Sequence, residues 1–344
     1  MAGGAHYLEL SKLPVTFDPL EEVESAFFDQ SNFQMFCVQH GFTDVRVKGL
    51  AEEDSFKITI PARGPVSTIK FSPGSPRILS IQRRKTSVEF VNIFSEQSTE
   101  RSLPLKNASN SDVLGFYWVF KNEYLVLVTT AAVELYQCNP YRMTFKMVRS
   151  FNINISWAIF SHEDLVLVVC SRGHSPSLHP FAFREGSSSI ITRLHKFDVE
   201  LPPSRETRPV LMEREVMIMK LYGVIYVAVM RNSAQAGQGA EVFLYQLMTE
   251  TPAKLSHCLS IDMSGRFTLS VVDNLVVAHH QGMKTSLLFD ISYDGEPQAT
   301  TGARKHLPML APLSIAPTKM AARKRRSGGG GRRRKESHSA VFNP

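Results

Sequence analysis

Residues 124–138 read YLVLVTTAAVELYQC, two runs rich in Val, Leu and Tyr that a short turn separates. β-branched and aromatic residues favour strands, and two such runs across a short turn are typical of a β-hairpin. Similar pairs occur along most of the chain, so the fold depends on how often this hairpin recurs and at what spacing.

The second run of the pair has five counterparts. Together the six runs are DVRVKGL, SVEFVNI, AVELYQC, SLHPFAF, EVFLYQL and SLLFDIS, and their second residues are Val45, Val88, Val133, Leu178, Val242 and Leu287. The spacings are 43, 45, 45, 64 and 45 residues. One inserted loop, either Leu201–Pro209 or Ser233–Gly239, explains the longer interval.

Each run follows another strand-like run across a short turn, and further strands such as VSTIKFS, LGFYWVF and RFTLSVV flank these pairs. A unit of three or four antiparallel strands every ~45 residues is the signature of a β-propeller blade. The sequence therefore predicts an all-β, WD-repeat-like β-propeller with about six recognisable blades. A β-sandwich and two small β domains are the alternatives, because the WD dipeptide is absent and Gly173-His174 is the one Gly-His pair.

The last unit, Gly265–Ile291, supplies three strands, so the final blade is expected to be incomplete. The residues that follow carry five prolines, a run of four glycines and two basic clusters, a composition typical of disorder. We therefore predict a propeller over residues 1–291 and a disordered basic tail over residues 292–344. A propeller that ends before closure would leave a free strand edge on its sixth unit.

One helix is predicted near the amino terminus. Asp18-Pro19 before LEEVESAFF has the form of a helix cap and first turn, with Leu20, Val23 and Phe27 on one face. We expect a short surface helix packed on the sheet.

Charge and cysteine usage indicate the compartment. Residues 304–344 hold eleven of the 39 Lys and Arg but one of the 32 Asp and Glu, so the preceding residues have a formal charge of about −3. Nucleic-acid binding over the folded body is therefore not expected. Four dispersed cysteines (Cys37, Cys138, Cys170 and Cys258) are typical of buried free thiols in a reducing compartment. With no signal peptide in the pattern, we expect a cytosolic protein.

Several blocks resemble a known family when read in order. They are FDPLEEVESAFFDQSNFQMFCVQHG, IKFSP, ILSIQRRKTSVEFVNIF, LGFYWV, ELYQCNP, SLHPFAF, AEVFLYQL, VVDNLVVAHHQ and SLLFDI. Together they resemble the amino-terminal half of the family of the regulator subunit of the Mon–Ccz complex, also called the colon-cancer-associated Mic protein family. The resemblance covers roughly residues 5–291.

The resemblance implies a role. The family is a non-catalytic subunit of the guanine-nucleotide exchange factor for the late-endosomal Rab-seven GTPase, in endosome-to-lysosome maturation and autophagy. Its members have a propeller followed by a helical domain. We therefore expect the Mon–Ccz core as partner, Rab-seven indirectly, and peripheral attachment to late endosomes and lysosomes. After Ile291 the chain departs from the family, which suggests a truncated or spliced product without the helical domain.

No catalytic, cofactor-binding or metal site is predicted. GxSxG, P-loop, GxGxxG and HExxH motifs are absent. Three Cys/His neighbours exist (Cys37 with His40, Cys170 with His174, His257 with Cys258), but they sit at different blade positions and would not converge on one zinc. His279 and His280, adjacent in a strand, would point to opposite faces. A propeller enzyme with a site in its channel is a minor alternative.

The tail carries the second functional hypothesis. Its two basic clusters consist of Arg323, Lys324, Arg325, Arg326, Arg332, Arg333, Arg334 and Lys335. Such clusters act as targeting segments or contact RNA or anionic lipid, which would make this a nuclear or RNA-associated propeller. A solvated tail without a role is the alternative. The partner-binding residues are not identified by the sequence; the loops at Arg83–Thr86 and Leu201–Pro209 are the exposed candidates.

Overall fold

The computed structural model of the chain describes residues 23–39, 41, 43–49, 54–92, 99–104, 111–173, 176–201, 210–231, 239–299, 301–309 and 313–314. Six separate sheets follow one another along the chain, each built around three or four consecutive antiparallel strands. This is the architecture of a β-propeller with six blades, so the predicted fold class is confirmed.

The first three blades have four strands each. They are blade 1 (β1 Val23–Asp29, β2 Gln34–Gln39, β3 Asp44–Lys48, β4 Phe56–Thr59), blade 2 (β5 Thr68–Phe71, β6 Leu79–Arg84, β7 Ser87–Asn92, β8 Thr99–Pro104) and blade 3 (β9 Val113–Val119, β10 Tyr124–Thr129, β11 Ala132–Asn139, β12 Thr144–Asn152).

The last three blades are less regular. They are blade 4 (β13 Ile155–Ser161, β14 Val166–Ser171, β15 Ser177–Phe183, β16 Ile191–Arg193, β17 Phe197–Asp198), blade 5 (β18 Val216–Leu221, β19 Val224–Arg231, β20 Glu241–Gln246, β21 Lys254–Ser260) and blade 6 (β22 Phe267–Val272, β23 Leu275–His280, β24 Thr285–Asp290). A three-residue 3-10 helix, Glu213–Glu215, precedes β18. The part of the chain that the structure describes contains no helix with the length and hydropathy of a membrane span.

The six predicted hairpins are all present as the second and third strands of the blades. In the hairpin that opened the sequence analysis, Leu125 pairs with Tyr136 and Val128 with Val133. The six repeat positions from Val45 to Leu287 are all buried. Alternation along these strands places one set of side chains on each face of a blade, and in blades 2 to 5 both faces pack against neighbouring blades.

The predicted amino-terminal helix is wrong, because Val23–Asp29 forms strand β1 and pairs with β2. Helix propensity is a weak preference that tertiary pairing overrides. Here Phe27 pairs with Phe36 and packs into the core between blades 1 and 2. Residues 18–22 lie outside the described residues.

The core is divided among the interfaces between blades. Five hydrophobic clusters join blades 1 and 2, 2 and 3, 3 and 4, 4 and 5, and 5 and 6. Within the described ranges, no such cluster joins blade 6 to blade 1. First strands of neighbouring blades contact one another, as β1 does β5 and β13 does both β9 and β18, which places these strands around the central channel.

Ordered structure continues beyond Ile291, where the sequence predicts the tail to begin. Two of the additional strands, β25 (Glu296–Pro297) and β26 (Arg304–His306), join blade 5, and β26 runs parallel to β21. A third, β27 (Leu313–Ser314), gives blade 6 a two-residue fourth strand. The free edge expected on β24 is therefore partly paired. The boundary between propeller and tail at Ile291 stays a prediction. These three strands nevertheless show that residues after Ile291 belong to the sheets.

Candidate functional site

The predicted targeting segment, with its basic residues from Arg323 to Lys335, lies outside the described residues. Its role stays a prediction. Of the candidate loop Leu201–Pro209, the structure describes Leu201 alone.

The candidate loop Arg83–Thr86 is only partly exposed, which corrects the expectation for its first residue. The Arg83 side chain is 2% exposed and ion-pairs with Glu89, whose Oε2 lies 3.3 Å from Nε. Its Nη1 and Nη2 donate to the carbonyl oxygens of Gly64 (2.6 Å) and Pro61 (2.8 Å). Arg83 therefore holds the loop before β5 in place, and Arg84 and Lys85 are the exposed residues of this turn.

All four cysteines are buried free thiols, as predicted. Burial raises the pKa of each, to about 12 for Cys138 and Cys258. Such thiols are poor nucleophiles and poor ligands at neutral pH. Among the described residues, no group of three or more His, Cys, Asp and Glu side chains is placed to hold a metal ion; His40 and His174 fall outside those residues.

His279 and His280 point to opposite faces of β23, as predicted. The His279 ring lies between the hydroxyls of Ser270 and Ser286, 2.8 Å from each. The His280 ring instead contacts the carbonyl oxygen of Ser264 at 3.0 Å and accepts the amide of Met283. Both imidazoles therefore serve blade 6 as separate hydrogen-bonding groups.

An open cavity of about 670 Å³ lies at the margin of blades 5 and 6. It is lined by Asp290, Tyr293, Asp294, Glu296, Lys305, His306, Leu307 and Met309. All but Asp290 lie in the segment that the sequence assigns to the tail.

Strand β26 builds one wall of this cavity. Its parallel pairing with β21 places His306 beside His257, with Nε2 of the first 2.9 Å from Nδ1 of the second. Burial lowers the pKa of His257 to about 4, and the neighbouring His306 and Arg304 add to this. Burial likewise lowers the pKa of His306, assisted by Arg304 and opposed by Asp290. Two neutral imidazoles can share one hydrogen bond, so the lowered pKa values of both rings agree with the short contact between their nitrogens.

The opposite wall is held by Asp290. Its Oδ1 accepts hydrogen bonds from the Tyr222 hydroxyl (2.6 Å) and the Ser292 amide (2.8 Å). The pKa of Asp290 is lowered by these hydrogen bonds, although burial opposes the shift. The contact ties the turn of blade 5 to the end of β24.

The lining combines exposed apolar side chains with carboxylates. Tyr293 and Leu307 are 62% and 63% exposed, and Met309 is also exposed, whereas Asp290, Asp294 and Glu296 supply negative charge. Apolar groups that face water beside a charged rim are the composition of a protein-contact surface. We therefore treat the cavity as the candidate site for a protein partner.

Comparison with known proteins shows which sequences the chain resembles. The family model of the regulator of MON1-CCZ1 complex, N-terminal, matches residues 26–145. Two curated relatives carry the name regulator of MON1-CCZ1 complex. The mouse protein is 36% identical over 321 residues, which is 92% of this chain and 48% of the relative. The human protein is 36% identical over 316 residues, 91% of this chain and 47% of the relative. The chain is similar in sequence to these regulators.

The resemblance noted in the sequence is thereby confirmed. The family-model match begins within β1 and ends within β12, so it covers blades 1 to 3. The chain spans about half the length of the MON1-CCZ1 regulators it matches.

Solved structures are similar at low sequence identity. Dihydro-heme d1 dehydrogenase NirN is similar with a TM-score of 0.51 and 11% identity, over 86% of this chain and 57% of that chain. The β-propeller domain of Myceliophteria thermophila Cps50 (Swd1) is similar with a TM-score of 0.49 and 12% identity, over 78% of this chain and 84% of that one. At such identities the likeness to NirN concerns the fold alone.

Sequence reasoning missed this candidate site because it lies in the predicted tail. The one available signal was the short apolar-polar pattern of Lys305–Met309, which the surrounding prolines and glycines outweighed. The parallel pairing with β21 joins residues about 47 apart in sequence, and no local pattern encodes it.

Proposed function

We propose that this chain is a non-catalytic binding module that acts with the MON1-CCZ1 complex. The observation that carries the proposal is the 36% identity to two regulators of that complex over more than nine-tenths of the chain. In the finer form implied by the sequence resemblance, the chain supports a guanine-nucleotide exchange factor for the Rab-seven GTPase. It then contributes to endosome-to-lysosome maturation and autophagy.

A binding role agrees with the chemistry of the described residues. Their cysteines are buried with raised pKa values, and the cavity at blades 5 and 6 offers apolar and acidic contacts to a protein. Within this proposal the chain is cytosolic and reaches late endosomes and lysosomes through its partners. The propeller positions the catalytic pair and does not contact nucleotide.

The test is a binding assay between the purified full chain and purified MON1-CCZ1 complex. We expect a stable complex. We also expect the double variant Tyr293→Asp/Leu307→Asp to bind at least ten-fold more weakly, because both side chains are exposed at the cavity. Tyr141→Asp is the matched control, since Tyr141 is 81% exposed on blade 3. A folded chain that does not bind would reject the proposal. Equal losses of affinity in the double variant and in the control would show that the contact with the complex lies outside the cavity.

The nuclear or RNA-associated alternative rests on the basic clusters of the sequence. Replacement of the eight basic residues between Arg323 and Lys335 by Gln distinguishes this alternative from our proposal. It should abolish nuclear signal under the alternative and leave MON1-CCZ1 binding unchanged under our proposal.

A further inference from the structure

The first strands of blades 1 to 4 bring a cluster of polar and aromatic side chains to the central channel. The members are Asp29 at the end of β1, Lys70 on β5, Phe116 and Tyr117 on β9, and His162 directly after β13. Because first strands of adjacent blades contact one another, residues from four blades meet at this point. None of them belongs to the cavity at blades 5 and 6.

Lys70 is a half-buried cation with aromatic neighbours. Its Nζ lies 4.5 Å from the ring centroid of Phe116 and 4.8 Å from that of Tyr117. Among the described residues, no carboxylate forms an ion pair with Lys70 and no acceptor takes a hydrogen bond from it. Burial lowers its pKa to about 8, against the opposing charge of Asp29.

The nearby carboxylate of Asp29 is already occupied. Its Oδ1 accepts from the amide (3.1 Å) and hydroxyl (2.6 Å) of Ser31, and its Oδ2 accepts from Asn32 (2.8 Å) and from the amide of Phe71 (3.0 Å). These four hydrogen bonds close the turn after β1 and join blade 1 to blade 2. Asp29 therefore acts on Lys70 through space and does not serve as its acceptor.

His162 is a second group without a hydrogen-bond partner among the described residues. Its ring stands edge-on to Phe160 at 4.7 Å and to Tyr117 at 6.4 Å between centroids. Burial lowers its pKa to about 4, Lys70 contributes to this, and Asp29 opposes it. Lys70 and His162 thus both contact the ring of Tyr117, whose own hydroxyl donates to the Ala158 carbonyl at 3.3 Å.

Both groups remain open to the channel. Neither the Lys70 ammonium nor a His162 ring nitrogen is among the buried polar atoms that lack a partner, so solvent reaches both. A partly desolvated ammonium without a counter-ion gains more from an anion than a fully hydrated one does. A neutral imidazole can donate one further hydrogen bond to the same anion.

We propose that this end of the channel binds an oxyanion, a carboxylate or a phosphate group, with Lys70 as the charged contact and His162 as a hydrogen-bond donor. Phe116 and Tyr117 shield the ammonium from water on one side. The other charges that bear on this cluster are Asp29 and Glu213, and Glu213 acts on Tyr117 from the 3-10 helix before β18. The site is independent of the proposed MON1-CCZ1 binding and can be tested without it.

The experiment measures acylation of Lys70 by a water-soluble N-hydroxysuccinimide acetate, followed by mass spectrometry of its peptide. At pH 7.5 a pKa of about 8 leaves roughly a quarter of Lys70 as free amine, on the order of 200 times the fraction for an ordinary lysine. A bound oxyanion stabilises the ammonium and should therefore protect Lys70. Lys85, 81% exposed, is the internal control.

Two probes distinguish the sources of the oxyanion, at ionic strength matched with sodium chloride. Inorganic phosphate tests a small free anion, and N-acetyl-Gly-Glu-Gly amide tests a peptide carboxylate. We expect at least one of them to reduce Lys70 acylation five-fold or more while Lys85 is unaffected. Phosphate alone would assign a small-anion site, and the peptide would assign an acidic partner segment. Protection by neither, or equal protection of Lys85, overturns the proposal.

Variants give an independent check. His162→Phe, which keeps a ring against Phe160, should weaken protection three-fold or more, whereas Lys70→Arg should retain oxyanion binding measured by calorimetry. Lys70→Met should abolish that binding. If Lys70→Met does not fold, the acylation result on the unmodified chain still decides the question.

Discussion

Arg83 shows how a single buried charge fixes the segment before a blade to the second strand of that blade. Its guanidinium is shut off from water by Glu89 and by the carbonyl groups of Gly64 and Pro61. We predict that Arg83→Met lowers the free energy of unfolding by about 3 kcal/mol, since among the described residues Glu89 would keep only Arg63, 3.9 Å away, as a cation. Urea denaturation measures the change. Arg84→Met, at an exposed neighbour, should stay within about 0.5 kcal/mol, and equal effects of the two variants would contradict the assignment.

Gly239 lies against backbone at the start of the third strand of blade 5. A Cβ built at this position would lie 2.4 Å from the Cα atom of Asp262. We predict that Gly239→Ala costs about 2 kcal/mol of stability or more, because backbone and not a flexible side chain must move. Gly282→Ala is the control, where the nearest atom is 3.4 Å away on the His280 ring. Thermal denaturation that ranks the two variants in the opposite order would refute this reading.

At the residue scale, the sequence pattern predicts which side chains are buried but not which groups a polar side chain contacts. Val88 and Val133 were recognisable as core because alternation is local, and both are fully buried. The setting of Arg83 could not be recognised, because its two carbonyl acceptors are about twenty residues away in an irregular segment. Polar residues in a turn are equally consistent with solvation and with buried contacts to distant backbone.

At the scale of elements, hairpins were predictable and isolated strands were not. A hairpin such as β10–β11 is encoded within fifteen residues, so composition and turn length suffice. The residues of strand β1 were predicted to form a helix, because their secondary structure depends on pairing with β2 and on the core shared with blade 2. Strand β26 was assigned to the tail, because its partner β21 is separated from it by the whole of blade 6. The candidate cavity was missed for the same reason, because β26 builds one of its walls.

The pairing of β26 with β21 should depend on pH through His257. Its pKa in the folded protein is about 4, below the ordinary value near 6.5, so folding favours the neutral ring. The stabilisation is therefore complete above pH 6.5 and is lost as the pH falls from 6.5 towards 4. With allowance for partial solvent screening, we predict a loss of about 1–2 kcal/mol from this residue.

Urea denaturation at pH 7.5, 6.0 and 5.0 tests this, compared between the unmodified chain and His257→Gln. Other buried histidines, such as His179, also have lowered pKa values, so the difference between the two proteins is the relevant quantity. The variant should lose less stability on acidification. His195→Gln, at an exposed position, should follow the unmodified chain. Parallel pH profiles for His257→Gln and the unmodified chain would contradict the prediction.

At the scale of the whole molecule, the structure is a linear series of blades joined by five described cores. Each core uses both neighbours, so a blade at the end of the series has one face that joins no such core among the described residues. On blade 6 that face carries the polar row Thr268, His279 and Ser286 in place of a continuous apolar surface. Blade 6 therefore depends on blade 5 and on the strands that follow Ile291.

This dependence gives a prediction about the length of the folded unit. Removal of residues 315–344 should leave the free energy of unfolding within about 0.5 kcal/mol of the full chain, whereas removal of residues 292–344 should lower it by about 2–4 kcal/mol. The second truncation takes away β26, whose His306 is 4% exposed, and Ala303, which is fully buried, and it uncovers the edge of β21. Chemical denaturation of the three proteins measures both differences. If the truncation after Ile291 is as stable as the full chain, the sequence-based boundary is right and β26 adds nothing to the fold; if both truncations are equally destabilised, the stabilising contacts lie in residues 315–344.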